Sequence, residues 1–137
     1  MPEGRIRVTL KKITALLFAE EIEPCIQFWV ERMGFVKTVE VPEGDKLAFV
    51  ILQKENLELM YQSYASAAKD VPALAVEVRR GPTFLYVEVD NLDEVIGALG
   101  DAEVAIPVRT TLYGAKEIGI KDAAGHFFTF AQMGVSA

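Results

Sequence analysis

Few side chains in this sequence could carry chemistry. Cys25 and His126 are each the only residue of their kind, and they fall in different halves of the chain. Cys25 sits among apolar residues at helical spacing with no histidine near it in the pattern, so a small buried hydrophobe is the expected reading. His126 follows Gly125 at the start of a strand. It is expected to be a solvated hairpin residue, with its side chain on the face opposite Thr129. Ser63, Ser66 and Ser136 have no triad context, and the chain has no phosphate-cradling glycine loop or dinucleotide fingerprint. That leaves Glu58, in "LELMYQ", as the most promising carboxylate. It would serve as a general base if burial raised its pKa; otherwise it would hydrogen-bond within a groove or hold a cationic ligand group. An inward carboxylate without a partner would be costly.

The elements that must position these residues alternate in a regular order. "ITALLFA", Ile13 to Ala19, reads as a strand. A helix follows, with Pro24 in its first turn, Glu20, Glu21 and Glu23 at its positive end, and Gly34 to stop it. Ile22, Cys25, Ile26, Trp29 and Met33 make its apolar face. "FVKTVEV", "KLAFVILQ" and "LELMYQ" are three strands separated by turn signals at "PEGD" and "KEN". Residues 63–80 read as a connector with a short helix interrupted at Pro72. A second set follows: the strand "TFLYVEV", a helix capped by Asn91 with Glu94 three residues on, and the strands "AEVAIPV", "KEIGIKD" and "HFFTFAQ". Leu92, Val95, Ile96 and Leu99 superpose on Ile22, Cys25, Ile26 and Trp29, and one extra residue in the last turn brings Thr129 over Glu58. The chain is therefore expected to be one α+β domain over residues 1–137. It would comprise a βαβββ module at 11–62, a connector at 63–80 and a second module at 81–133, the strands forming one curved mixed sheet.

Composition narrows the function. A net charge of -6 argues against nucleic-acid and anionic-membrane partners. One cysteine excludes an intrachain disulfide. "MPEGRIRVTLKK" lacks the apolar run of a signal peptide, and no apolar stretch reaches membrane-spanning length, so a cytoplasmic protein is expected. An apolar content of 51% is high for a small monomer and leaves surface for a groove or a subunit interface.

Three stretches carry a family resemblance. "CIQFWVERMGF", "VEVDNLDEV" and "YGAKEIGIKDAAGHFFTFAQ" resemble, in order, the first-helix end, the junction opening the second half and the closing hairpin of the vicinal oxygen chelate superfamily. That superfamily includes glyoxalase I, bleomycin-resistance proteins and extradiol dioxygenases. Met33 stands where leucine is usual, Ala123 where proline is common and Ala124 where an acid is usual. In metal-dependent members four inward side chains hold a divalent ion, and the resemblance puts those positions at Thr14, Glu58, Phe84 and Thr129. Only Glu58 is a credible ligand, and a single histidine excludes a His-rich site. A carboxylate-only site from Glu58 with Glu88 or Glu117 is the remaining metal alternative. No metal and no cofactor are expected, which resembles the bleomycin-resistance branch.

Alternation defines the inward set. Thr14, Leu16 and Phe18 share a face of the first strand, and Glu58 and Met60 of the fourth. Phe84, Tyr86 and Glu88 share that of the fifth, and Phe127 and Thr129 of the last. Tyr113, beside Gly114, either shapes its loop or faces the groove. Aromatic walls with a few polar groups suit an organic ligand. The resemblance thus implies a bacterial, metal-independent binding or sequestering protein, of the antibiotic-resistance kind, for an aromatic or cationic small molecule. It also implies a homodimer whose grooves a partner completes. The alternative is a glyoxalase- or isomerase-type enzyme with an atypical metal shell or Glu58 as base.

Overall fold

The computed structural model describes residues 7–135, so the first six residues and Ser136 of the motifs above lie outside it. The elements run β1 (Ala15–Ala19), α1 (Glu23–Glu31), β2 (Val36–Glu43), β3 (Lys46–Lys54), β4 (Leu57–Ser63) and α2 (Tyr64–Asp70). Two 3-10 turns, Pro72–Leu74 and Glu77–Arg79, lead to β5 (Phe84–Glu88), α3 (Leu92–Ala98), β6 (Glu103–Thr110), β7 (Ala115–Lys121) and β8 (Phe127–Met133).

Local signals account for most boundaries. Pro24 lies in the first turn of α1. Gly34 adopts φ +79°, which lets the N–H of Phe35 turn back onto the carbonyl of Trp29 at 2.9 Å. Asn91 caps α3 by accepting the N–H of Glu94 at 3.2 Å, and Ser63 caps α2 through Ser66 at 3.0 Å. Strand β1 begins at Ala15, two residues after the expected start.

The strands make two four-stranded mixed sheets, in the orders β1-β4-β3-β2 and β5-β8-β7-β6. Each has one parallel pair, β1 with β4 and β5 with β8; the other pairs are antiparallel. The α+β, two-module expectation holds. The curved sheet is resolved into two because β1 and β5 are both edges and no ladder joins them among the described residues.

One core serves both sheets. Leu17, Val50, Leu52 and Tyr61 of the first and Ile118, Ile120, Phe128 and Phe130 of the second belong to the same buried cluster, with Cys25, Ile26 and Trp29 of α1 among them. The Trp29 ring meets Phe128 edge-on at 4.9 Å and Phe35 at 5.3 Å. Burying each large apolar side chain contributes roughly 1.5–3 kcal/mol, so this cluster is the main force holding the halves together. Polar atoms inside it are satisfied: Trp29 Nε1 donates to the Tyr61 hydroxyl at 3.1 Å, which donates to Asp122 at 2.8 Å. Strand alternation then sends the neighbouring side chains of every strand to the opposite faces, away from this core.

Candidate functional site

On the first sheet the face away from the core has a polar end and an apolar body. Glu58 forms the polar end. Its carboxylate accepts from the Thr14 hydroxyl at 2.7 Å and from Gln53 Nε2, and pairs with Lys12 Nζ at 3.0 Å. The Thr14 hydroxyl first, then Lys12 and Gln53, hold the Glu58 carboxyl below the usual carboxylate range. Leu16, Met60, Ile51 and Val39 form the next row across the sheet, and Phe18, Gln62, Phe49 and Val41 the row after it.

The second sheet carries a different surface. Phe84 and Phe127 pair across β5 and β8 and stack with centroids 4.9 Å apart and planes at 8°. Lys121 lies 5.5 Å over the Phe127 ring and pairs with Glu103 at 3.6 Å. Thr129 sits between Tyr86 on β5 and Gly119 on β7. A Cβ on Gly119 would come within 2.9 Å of the Ile106 side chain, so glycine is needed there for Ile106 to cross the strand.

The third row holds the most concentrated polar group. Glu117 is 1% exposed although it stands on the face turned from the core. Its Oε2 accepts the hydroxyls of Tyr86 and of Tyr113, the latter at 2.6 Å, and its Oε1 accepts Nε and Nη2 of Arg109 at 3.2 and 3.1 Å. Burial pushes the carboxyl of Glu117 up, but the two hydroxyls and the guanidinium outweigh it and hold the carboxyl below its ordinary range. The same contact, with Tyr113 second, raises the Tyr86 phenol well above its usual value.

The residues named from sequence therefore divide between two clusters. Thr14, Leu16, Phe18, Glu58 and Met60 lie on the first sheet; Phe84, Tyr86, Glu88, Tyr113, Phe127 and Thr129 lie with the second. No hydrogen bond or ion pair joins the Glu58 and Glu117 groups among the described residues. The pairing also separates the four positions marked by the motifs. Thr14 touches Glu58, but Thr129 stands beside Tyr86 rather than Phe84. Sequence reasoning missed Lys12, Gln53, Arg109 and Ile106. Arg109 was legible in principle, because it and Glu117 stand symmetrically about Tyr113 in a hairpin turned by Gly114 at φ +84°.

One reading changes. His126 is not a solvated hairpin residue: it is 5% exposed, with its imidazole between Thr83 and Phe18. Cys25 is buried as expected, and burial, then the charge of Asp122, push its thiol up to about 12. A cleft of about 390 Å³ opens elsewhere, between α1 and the β6–β7 edge. Of its charged lining, Asp122 is engaged by Tyr61 and Lys121 by Glu103, and none of the residues named from sequence as ligand-binding lies in it.

Comparison with protein-family models gives no match, and comparison with curated protein sequences gives none either. Solved structures do match. Lactoylglutathione lyase from Agrobacterium tumefaciens superposes with a TM-score of 0.72 at 14% identity, covering 91% of this chain and 95% of that one. The bleomycin-binding protein of Streptomyces verticillus, solved with copper(II)-bleomycin, gives 0.62 at 20% identity, covering 93% and 98%. The chain has the glyoxalase/bleomycin-resistance fold. TioX from Micromonospora sp. ML1 shares that fold too, with a TM-score of 0.65 at 14% identity over 89% and 98% of the two chains.

Metal-dependent members of this fold hold an ion at the four inward positions, and the residues here do not fit one. Thr14 spends its hydroxyl on Glu58, Lys12 supplies the positive charge an ion would bring, and Phe84 offers a ring. Among the described residues no three His, Cys, Asp or Glu side chains gather as metal ligands.

Proposed function

We propose that the chain binds a small aromatic organic molecule on the inward faces of its sheets, without a metal. The observation that carries this reading is the state of Glu58. Both of its oxygens have partners and its charge is met by Lys12, so it is neither a free ligand for an ion nor a free anion for a cationic molecule. What the faces leave open is ring surface. On the second sheet Phe84 is 71% exposed and Tyr86 50%, and Leu16 of the first sheet is exposed as well. Such a patch on a small protein marks a binding surface. A second copy of the chain would cover the flanking apolar rows, and a homodimer is the binding unit we propose.

The enzyme alternative requires Glu58 to accept a proton near neutral pH. Its partners work against that by favouring the ionised form and occupying the lone pairs. Elemental analysis of purified protein, then titration of wild type and Glu58→Gln with nickel, zinc and manganese, tests the proposal. No stoichiometric ion and no binding heat are expected. A one-to-one ion that disappears in Glu58→Gln overturns it and revives the lyase reading.

A further inference from the structure

Resting on that ligand-binding reading, we infer that the second sheet carries a carboxylate anchor: Arg109 takes the acidic group of an aromatic acid, and Glu117 holds Arg109 in position. A guanidinium has five N–H donors in a planar fork. Two of them reach Glu117 Oε1, one each from Nε and Nη2. Three remain, and no other acceptor takes them among the described residues. The Arg109 side chain is 58% exposed while Glu117 beneath it is 1% exposed, so the unused edge of the fork faces outward.

The rest of the cluster points to the same polarity. Glu117 is saturated by Arg109 and by two phenol protons, so it has no lone pair positioned for a ligand cation. Pairing also fixes χ angles of Arg109, which reduces the entropy lost when it grips a second carboxylate bidentately. Tyr86 and Tyr113 expose ring surface next to the fork, and the Phe84–Phe127 stack lies two residues further along β5 and β8 from Tyr86 and Thr129. A flat ring on these aromatics would carry its acid toward β6. Lys121, the other cation of this face, is engaged by Glu103 and by the Phe127 ring. Glu88 is the group that would favour the opposite charge. It lies in the Arg109 row but three strands across, about 14 Å at the usual strand spacing, which leaves the fork and Glu88 as separate ends of the face.

The test uses three probes with one ring system: 2-naphthoate, 2-naphthylmethanol and 2-naphthylmethylammonium. Affinity is measured by calorimetry, and the Arg109 Nε–H signal is followed by NMR on nitrogen-labelled protein. Naphthoate is expected to bind at least tenfold tighter than the other two and to shift the Arg109 signal. Arg109→Lys keeps a positive charge on buried Glu117 but loses the fork, and should remove most of the advantage of naphthoate over the alcohol measured on the same variant. An ammonium probe that equals or beats the acid overturns the anchor. So does acid binding with the wild-type Arg109 signal unmoved, a readout that does not depend on the variant folding. If the alcohol binds and the acid has no advantage, the anchor falls and the ligand-binding reading stands. If none of the three binds at millimolar concentration, both fall.

Discussion

The imidazole of His126 bridges the two halves of the chain: its Nδ1 accepts the N–H of Thr83 at 2.9 Å, and its Nε2 lies 2.7 Å from the carbonyl oxygen of Phe18 at the end of β1. A backbone N–H can only donate, so Nδ1 is bare and the ring proton sits on Nε2, pointing at Phe18. Asp122 fixes the hairpin that carries the ring, accepting the N–H groups of Ala124 and His126 at 2.9 Å each.

Replacing His126 with alanine would strip both backbone groups of their partner at a buried site. The expected loss is about 2–4 kcal/mol of unfolding free energy, read from urea denaturation with fluorescence of Trp29. A loss inside the error of the extrapolation would mean that water substitutes for the ring and that the bridge contributes little.

Acid stability should depend on Glu58 and Glu117 in a defined direction. Each carboxyl is held below the ordinary glutamate value of 4.5 in the folded chain. A group depressed on folding contributes stability that is present above its unfolded value and fades as pH falls through the folded one. The stability curve of the wild type is therefore expected to fall as pH drops below about 4.5, and to fall less steeply in Glu58→Gln and in Glu117→Gln. Parallel acid limbs in all three proteins would contradict this account.

The Cys25 thiol is expected to be inert. Buried and pushed up to about 12, it is almost wholly un-ionised near pH 8, where a free cysteine of pKa about 8.5 reacts readily. Labelling with a disulfide reagent should run at least a hundredfold slower in the native protein than in denaturant. Fast native labelling would place Cys25 outside the core.

Much of the fold was legible because its signals are local. The period of Ile22, Cys25, Ile26 and Trp29, the cap at Asn91 and the glycine at position 34 each act within a few residues, and each element they predicted is present. Strand alternation likewise grouped Thr14 with Leu16 and Phe18, Glu58 with Met60, Phe84 with Tyr86, and Phe127 with Thr129 on shared strand faces. Alternation says which face a side chain takes but not which side chain lies beside it. Lys12 against Glu58, and Tyr86 against Glu117, depend on how segments far apart in the chain are brought together, whereas Arg109 and Tyr113 meet Glu117 within one hairpin. The burial of His126 depends on how the last hairpin of one module meets the first strand of the other. Residue types and their order thus determined the elements, the repeat and the faces. Only the packing of the sheets decided which charges are spent on one another and which, like the outer edge of Arg109, are left for a ligand, because register and burial are properties of the whole assembly of strands.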